Sequence, residues 1–150
     1  MQNTAKAKKQ LQELFRKQRL AVLSTQNPEG PYGSLIAFAH TEDLREIIFA
    51  TSRNTRKYAN LSVHKQVALL IDNRSNKTAD FRRAVAATAI GKNREIFKRK
   101  NSRHLRLYLE KHPYLKEFVE APTCALLSVS VEKYYIVNRF QQVVELHLKK

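Results

Sequence analysis

The sequence predicts an α+β domain built around an antiparallel β-barrel, with a few helices packed outside it. Three short apolar runs carry most of this reading: LAVLST from Leu20, SLIAFAH from Ser34 to His40, and EIIFAT from Glu46. They follow one another across the brief connections NPEGPYG and TEDLR, which is the spacing of an antiparallel meander. Four later stretches have strand length and composition as well: QVALLID, RRAVAATAIGKNREI, CALLSVSVEKYYIVN and QQVVELHL. Helical periodicity is confined to separate segments between and outside these runs.

Taken in order, Thr4 can cap a first helix in which Leu11, Leu14 and Phe15 recur at i, i+3, i+4 and which ends before Leu20. NPEGPYG holds two Pro and two Gly in seven residues and reads as a turn throughout. After EIIFAT comes a helix from about Thr55 to Val63, with Tyr58 and Leu61 facing inward. QVALLID (Gln66–Asp72) is an unbroken apolar run, expected to be buried on both faces. NRSNKTAD is a polar loop. The basic segment from Phe97 to His112 repeats Leu105, Tyr108 and Leu109 at helical spacing and stops at Pro113, and LKEFVE resumes helix. No internal repeat or low-complexity tract interrupts the chain.

One hundred and fifty residues, 43% of them hydrophobic, make a single domain (1–150) with enough apolar surface for a core. A lone cysteine, Cys124, excludes an internal disulfide framework and fits a reducing compartment. No apolar stretch approaches a membrane span, and the basic N-terminal segment lacks the apolar core of a signal peptide, so a cytoplasmic location is expected. The net charge is +15, concentrated in residues 1–19 (six cations, one acid) and 92–116 (nine cations, two acids). Such segments are either solvated helix faces or a footprint for an anionic partner, nucleic acid included. Charge alone does not separate the two.

A sharper signal lies in ATSRNTRKYANL, where a strand passes into a helix. Cations in a helix's first turn oppose the macrodipole, each by about 0.3–1 kcal/mol. Arg53, Arg56 and Lys57 cluster there with the hydroxyls of Thr51, Ser52 and Thr55. A bound phosphate reverses the sign of that repulsion, because free N–H groups, hydroxyls and cations all converge on it. The alternative is that these side chains fan into solvent. With only three glycines, the chain has no Gly-rich phosphate loop, so a phosphate site must use side chains and a helix end. The five histidines show no metal-ligand spacing, and Cys124 sits in an apolar run as an inert core thiol would. No metal site and no catalytic side chain is predicted.

The order SLIAFA, IIFATS, NTRKYANL, VALLIDNR and AIGK resembles the FMN-binding split barrels, the family of the pyridoxamine 5′-phosphate oxidases and their relatives. The likeness covers about Leu20 to Glu95 well and the rest loosely, and FATSRNTRKYANL is its most specific part. It implies a six-stranded split β-barrel that dimerises, with FMN in the groove between subunits. Arg56 and Lys57 would hold the FMN phosphate, helped by Ser52 and Thr55. The backbone of Ser34, Leu35 and Ile36 would line the isoalloxazine ring, with Ala50 and Thr51 alongside, and Asn73 and Arg74 as further polar contacts.

The chain also departs from that pattern. The true oxidases close with a tryptophan-bearing, arginine-rich segment, whereas this chain has no Trp and ends NRFQQVVELHLKK. Small apolar residues around Ala86 replace a polar glutamine. A vitamin B6 substrate is therefore not expected. The leading expectation is an FMN-dependent oxidoreductase acting on another small molecule, with a deazaflavin variant suited to the positive charge. A non-turnover flavin sensor or store and a basic nucleic-acid-binding module are the alternatives from other classes.

Overall fold

The structure, a computed structural model, describes residues 2–99, 102–139 and 142–148. Seven strands, β1 (Leu20–Asn27), β2 (Gly30–His40), β3 (Glu46–Ser52), β4 (Gln66–Asp72), β5 (Val85–Ile96), β6 (Cys124–Asn138) and β7 (Gln142–His147), form one antiparallel sheet. Its order is β3-β2-β1-β4-β5-β6-β7, and an additional β3–β6 pairing closes the first six into a barrel. Helices α1 (Gln2–Lys17), α2 (Arg56–Val63), α3 (Asp80–Arg83), α4 (Arg103–Lys111) and α5 (Lys116–Glu120) surround it.

Closure depends on β6, which is 15 residues long. β5 pairs along its whole length, while its other edge is shared: Cys124–Ser130 pairs with β3 and Lys133–Asn138 with β7. The register slips between Ile90↔Lys133 and Gly91↔Val131, leaving Glu132 as an extra residue. Such a bulge bends the strand and lets one strand serve two neighbours. Gly91 lies against this bend, where backbone approaches backbone too closely for a side chain: an added Cβ would stand 2.2 Å from the Ser130 carbonyl oxygen.

Alternate residues of each strand fill the barrel, as the period of two requires. Ala21, Leu23, Ile36, Phe38, Leu69, Ile71, Ala87 and Ile136 are buried there. The amphipathic face of α1 covers one opening with Leu11, Leu14 and Phe15, each at 5% exposure or less. Phe15 meets the rings of Phe38 and His40 edge-on, at 5.6 and 5.4 Å between centroids.

The strands and the family-type barrel agree with the sequence expectations, with local corrections. The β1–β2 turn is only Pro28–Glu29, because Asn27 pairs with Gly30 and NPEGPYG is otherwise strand. Gly30 takes φ 125°, a left-handed value that glycine tolerates best. Helix α1 starts at Gln2, so Thr4 lies inside it and is no cap. β4 is not buried on both faces: Val67, Leu69 and Ile71 point into the barrel, while Ala68 and Leu70 are half-exposed. The loop after β4 contains α3. The helix expected from Phe97 begins only at Arg103, and Lys100 and Asn101 lie outside the described residues. The final strand begins at Gln142; Gln141, expected to open it, also lies outside them. No helix among the described residues is long and apolar enough to cross a membrane.

His40 gives the fold a predictable acid response. Burial first, then the nearby charges of Lys111 and Arg16, push its pKa down to about 4. An unfolded imidazole takes up its proton near 6.5, so between roughly pH 6.5 and 4 protons favour the unfolded chain. Stability should therefore fall as pH drops through that window. His40→Leu should flatten the slope in urea titrations at pH 7, 6 and 5, and an unchanged slope would show that other groups set it.

Candidate functional site

The turn between β3 and α2 is built by its own hydroxyls. Thr55 adopts an extended conformation (φ −94°, ψ 155°), and its Oγ1 accepts from the Tyr58 N–H, an N-cap bond of 3.1 Å. The same hydroxyl donates to the Ser52 carbonyl at 2.9 Å and lies 3.2 Å from Thr51 Oγ1. Ser52 Oγ donates to Asn54 Oδ1 at 2.6 Å. The predicted hydroxyl ligands thus shape the turn. Ahead of the intrahelical ladder, the N–H groups of Arg56 and Lys57 point out of the helix start.

The three cations of this turn divide into two kinds. Arg53 is structural: its guanidinium lies 2.7 Å from the Glu95 carboxylate and donates to the Tyr58 hydroxyl at 2.9 Å, while that hydroxyl donates to Glu95 at 2.7 Å. Arg56 and Lys57 have no ion-pair partner among the described residues, and the first turn of α2 contains no acid. Lys57 is half-buried, and that burial lowers its pKa. Arg56 is exposed and faces a shallow hollow shared with the β1–β2 turn at Asn27–Glu29.

Beside α2 the barrel is split. β2 and β3 pair only where Phe38–His40 meets Ile47–Phe49. Beyond that point Ser34–Ala37 stays with β1, whereas Ala50–Ser52 stays with β6. Ser34, Leu35, Ile36 and Ala50, Thr51, Ser52 are therefore on opposite lips of one gap, with α2 packed against β1 and β3. Asn60 holds α2 in place, donating from Nδ2 to Thr25 Oγ1 at 3.0 Å in a buried contact. The Ser34 hydroxyl is buried without a hydrogen-bond partner among the described residues. Ile36 points into the barrel and Leu35 outward, 63% exposed.

Asn73 and Arg74 lie away from the α2 turn, and of the group above only Leu35 shares a hollow with Arg74. Asn73 Oδ1 accepts from the Val85 N–H at 2.7 Å and fastens β4 to β5. Arg74 pairs with Asp72 at 2.8 Å, beside a hollow on the outer barrel face that it shares with Leu20, Val22, Leu35 and Leu70.

Two residues of the split carry no signal in the sequence beyond helical spacing. One is Asn60. The other is Tyr108 of α4, whose hydroxyl donates to the Ala37 carbonyl at 3.1 Å and also meets the Ala50 backbone, bridging β2 and β3 where they part. Burial raises its pKa well above the usual phenol range, so it stays a donor. Tyr108→Phe should cost about 1 kcal/mol. Urea unfolding checks this, and a loss near zero would mean that the bridge does not hold the lips.

Fold and site together define a six-stranded split barrel with a cationic helix start at its split. The chain belongs to the pyridoxamine 5′-phosphate oxidase family, whose profile matches residues 7–138. A comparison with curated proteins gives no match. Among solved structures, a heme binding protein from Mycobacterium smegmatis is similar, with TM-score 0.82 and 13% identity, over 94% of this chain and 57% of that one. Campylobacter jejuni ChuZ is similar at TM-score 0.81 and 15% identity, over 98% of this chain and 61% of that one. General Stress Protein 26 from Bacillus anthracis str. Sterne matches at TM-score 0.70 and 18% identity, over 95% and 98% of the two chains. The chain thus spans only about three fifths of the first two of these proteins.

Proposed function

We propose that the chain is an FMN-binding flavoprotein acting as an oxidoreductase on a small-molecule substrate other than vitamin B6. The observation that carries this is the first turn of α2, which holds no acid and where Arg56 and Lys57 form no ion pair among the described residues, although Glu29 lines the hollow that Arg56 faces. A phosphate seated there takes N–H groups from the helix start and two charge-assisted bonds from the side chains. The residues fit the rest of the cofactor as well: the partnerless Ser34 hydroxyl on the facing lip is a ready donor to a ring carbonyl. FMN, when bound, supplies the electron-transfer chemistry, so the chain itself needs only to bind, orient and exclude water.

A homodimer is part of the same proposal, and the outer barrel face supports it. Leu20 and Leu35 are 51% and 63% exposed beside Val22 and Leu70, an apolar surface that a second copy would cover, placing the flavin between subunits.

The test is a visible spectrum of the purified protein with and without added FMN. Flavin bands that persist through gel filtration support the proposal. A Soret band with no flavin uptake favours heme instead, in line with the Mycobacterium likeness. A colourless protein that takes up no flavin yet shifts an RNA or DNA probe at physiological salt favours a nucleic-acid module. Flavin that binds but accepts electrons from no donor makes the protein a sensor or store, and binding of a deazaflavin in preference to FMN replaces the cofactor assignment.

A further inference from the structure

We infer that the cavity between α1, α3 and the end of β6 is a second anion site, built for a small molecule carrying two or more phosphate charges. Four cations line it: Lys6 of α1, Arg82 and Arg83 of α3, and Arg139 just past β6. No carboxylate lines it, and none of the four has an ion-pair partner among the described residues. Its volume of about 410 Å³ is within the range of small-ligand pockets.

The nearest acid in sequence, Asp80, pairs with neither Arg82 nor Arg83 and is engaged by the preceding loop. It accepts from the N–H groups of Ser75 and Asn76 at 2.9 and 2.8 Å and from Ser75 Oγ at 2.7 Å. One wall is fixed by the hydrogen bond from the Gln10 amide to Asn138 Oδ1, which ties α1 to the end of β6. Arg139 stands in the left-handed region at φ 46°, where glycine or asparagine would turn the chain with less strain. The turn thus brings a fourth cation to a cavity that already holds three. Repulsion among four neighbouring cations is relieved by a polyanion, which accepts charge-assisted bonds from several at once.

This cavity is separate from the α2 turn. Arg56 lies beside the β1–β2 turn, whereas the cavity is lined by Val85 at the start of β5 and Asn138 at the end of β6, and the two share no residue.

Calorimetric titration of the full chain with sodium tripolyphosphate at 0.15 M salt tests the site. In Arg56→Ala/Lys57→Ala, which removes the α2 cations, one saturable site per chain should remain. In that same background Arg82→Gln/Arg83→Gln and, separately, Arg139→Gln should each weaken it at least tenfold, while Lys8→Gln/Lys9→Gln on the exposed face of α1 should leave it nearly unchanged. Far-UV circular dichroism confirms folding, and the single Arg139 change serves if the double one fails to fold. Absence of a saturable site, or equal weakening by the Lys8/Lys9 change, would overturn the inference, the latter by showing only a diffuse field.

Discussion

Changing Arg56 and Lys57 together to alanine is expected to weaken FMN binding by roughly 10²- to 10⁴-fold. Each side chain is placed to give the phosphate a charged hydrogen bond, and such bonds contribute about 1.5–3 kcal/mol apiece. Two of them sum to about 3–6 kcal/mol, and every 1.4 kcal/mol is roughly tenfold in affinity. The fold should not suffer, because neither cation forms an ion pair among the described residues and both oppose the helix macrodipole. Tm of the flavin-free variant should therefore equal or slightly exceed that of the wild type. Arg53→Ala should behave in the opposite way. It breaks the contacts with Glu95 and Tyr58 and loosens α2 from β5, with a smaller effect on flavin affinity. A double variant that keeps full affinity would remove the α2 turn from the account.

Gly91→Ala is the second large effect, and it falls on stability. The added methyl would stand 2.2 Å from the Ser130 carbonyl oxygen, a backbone atom fixed by the ladder on both sides of β6. Overpacking typically costs about 1–3 kcal/mol and occasionally more, and a clash against backbone at the barrel's closing strand belongs at the top of that range. A loss of about 3 kcal/mol corresponds to a fall in Tm of roughly 6–12 °C for a chain of this size. Gly33→Ala is the matched control: its Cβ would meet only Val22 Cγ1, at 3.9 Å, and should change stability by less than about 0.5 kcal/mol. Equal effects at the two positions would mean that β5 and β6 do not approach at Gly91 as described.

The parts of this molecule legible in the sequence are those decided locally. An unbroken apolar run marks β4, alternation marks the start of β6, and Tyr58 and Leu61 at helical spacing mark α2, whereas the one-sided burial of β4 and the capping role of Thr55 emerge only in the fold. The resemblance of FATSRNTRKYANL then supplied the split barrel, which the β3–β6 closure matches. What went unread depends on distant partners. Pro31 and Gly33 look like turn residues, yet they sit in β2 because that end of the strand pairs only with β1, and an edge tolerates proline. The role of Arg53 depends on Glu95, 42 residues away in the chain, and that of Tyr108 on the Ala37 carbonyl, 71 residues away. The bond by which the Asn73 side-chain oxygen accepts from the Val85 N–H likewise depends on a partner 12 residues away.

The central claim is that the start of α2 recognises a phosphate. Paired titrations with FMN and riboflavin, followed by flavin fluorescence, test it most directly, since the two ligands share a ring system and differ in the phosphate. The account predicts that FMN binds at least a hundredfold more tightly than riboflavin, and that this ratio collapses toward one in Arg56→Ala/Lys57→Ala. Equal affinities in the wild-type protein, or a ratio untouched by the double change, would contradict it.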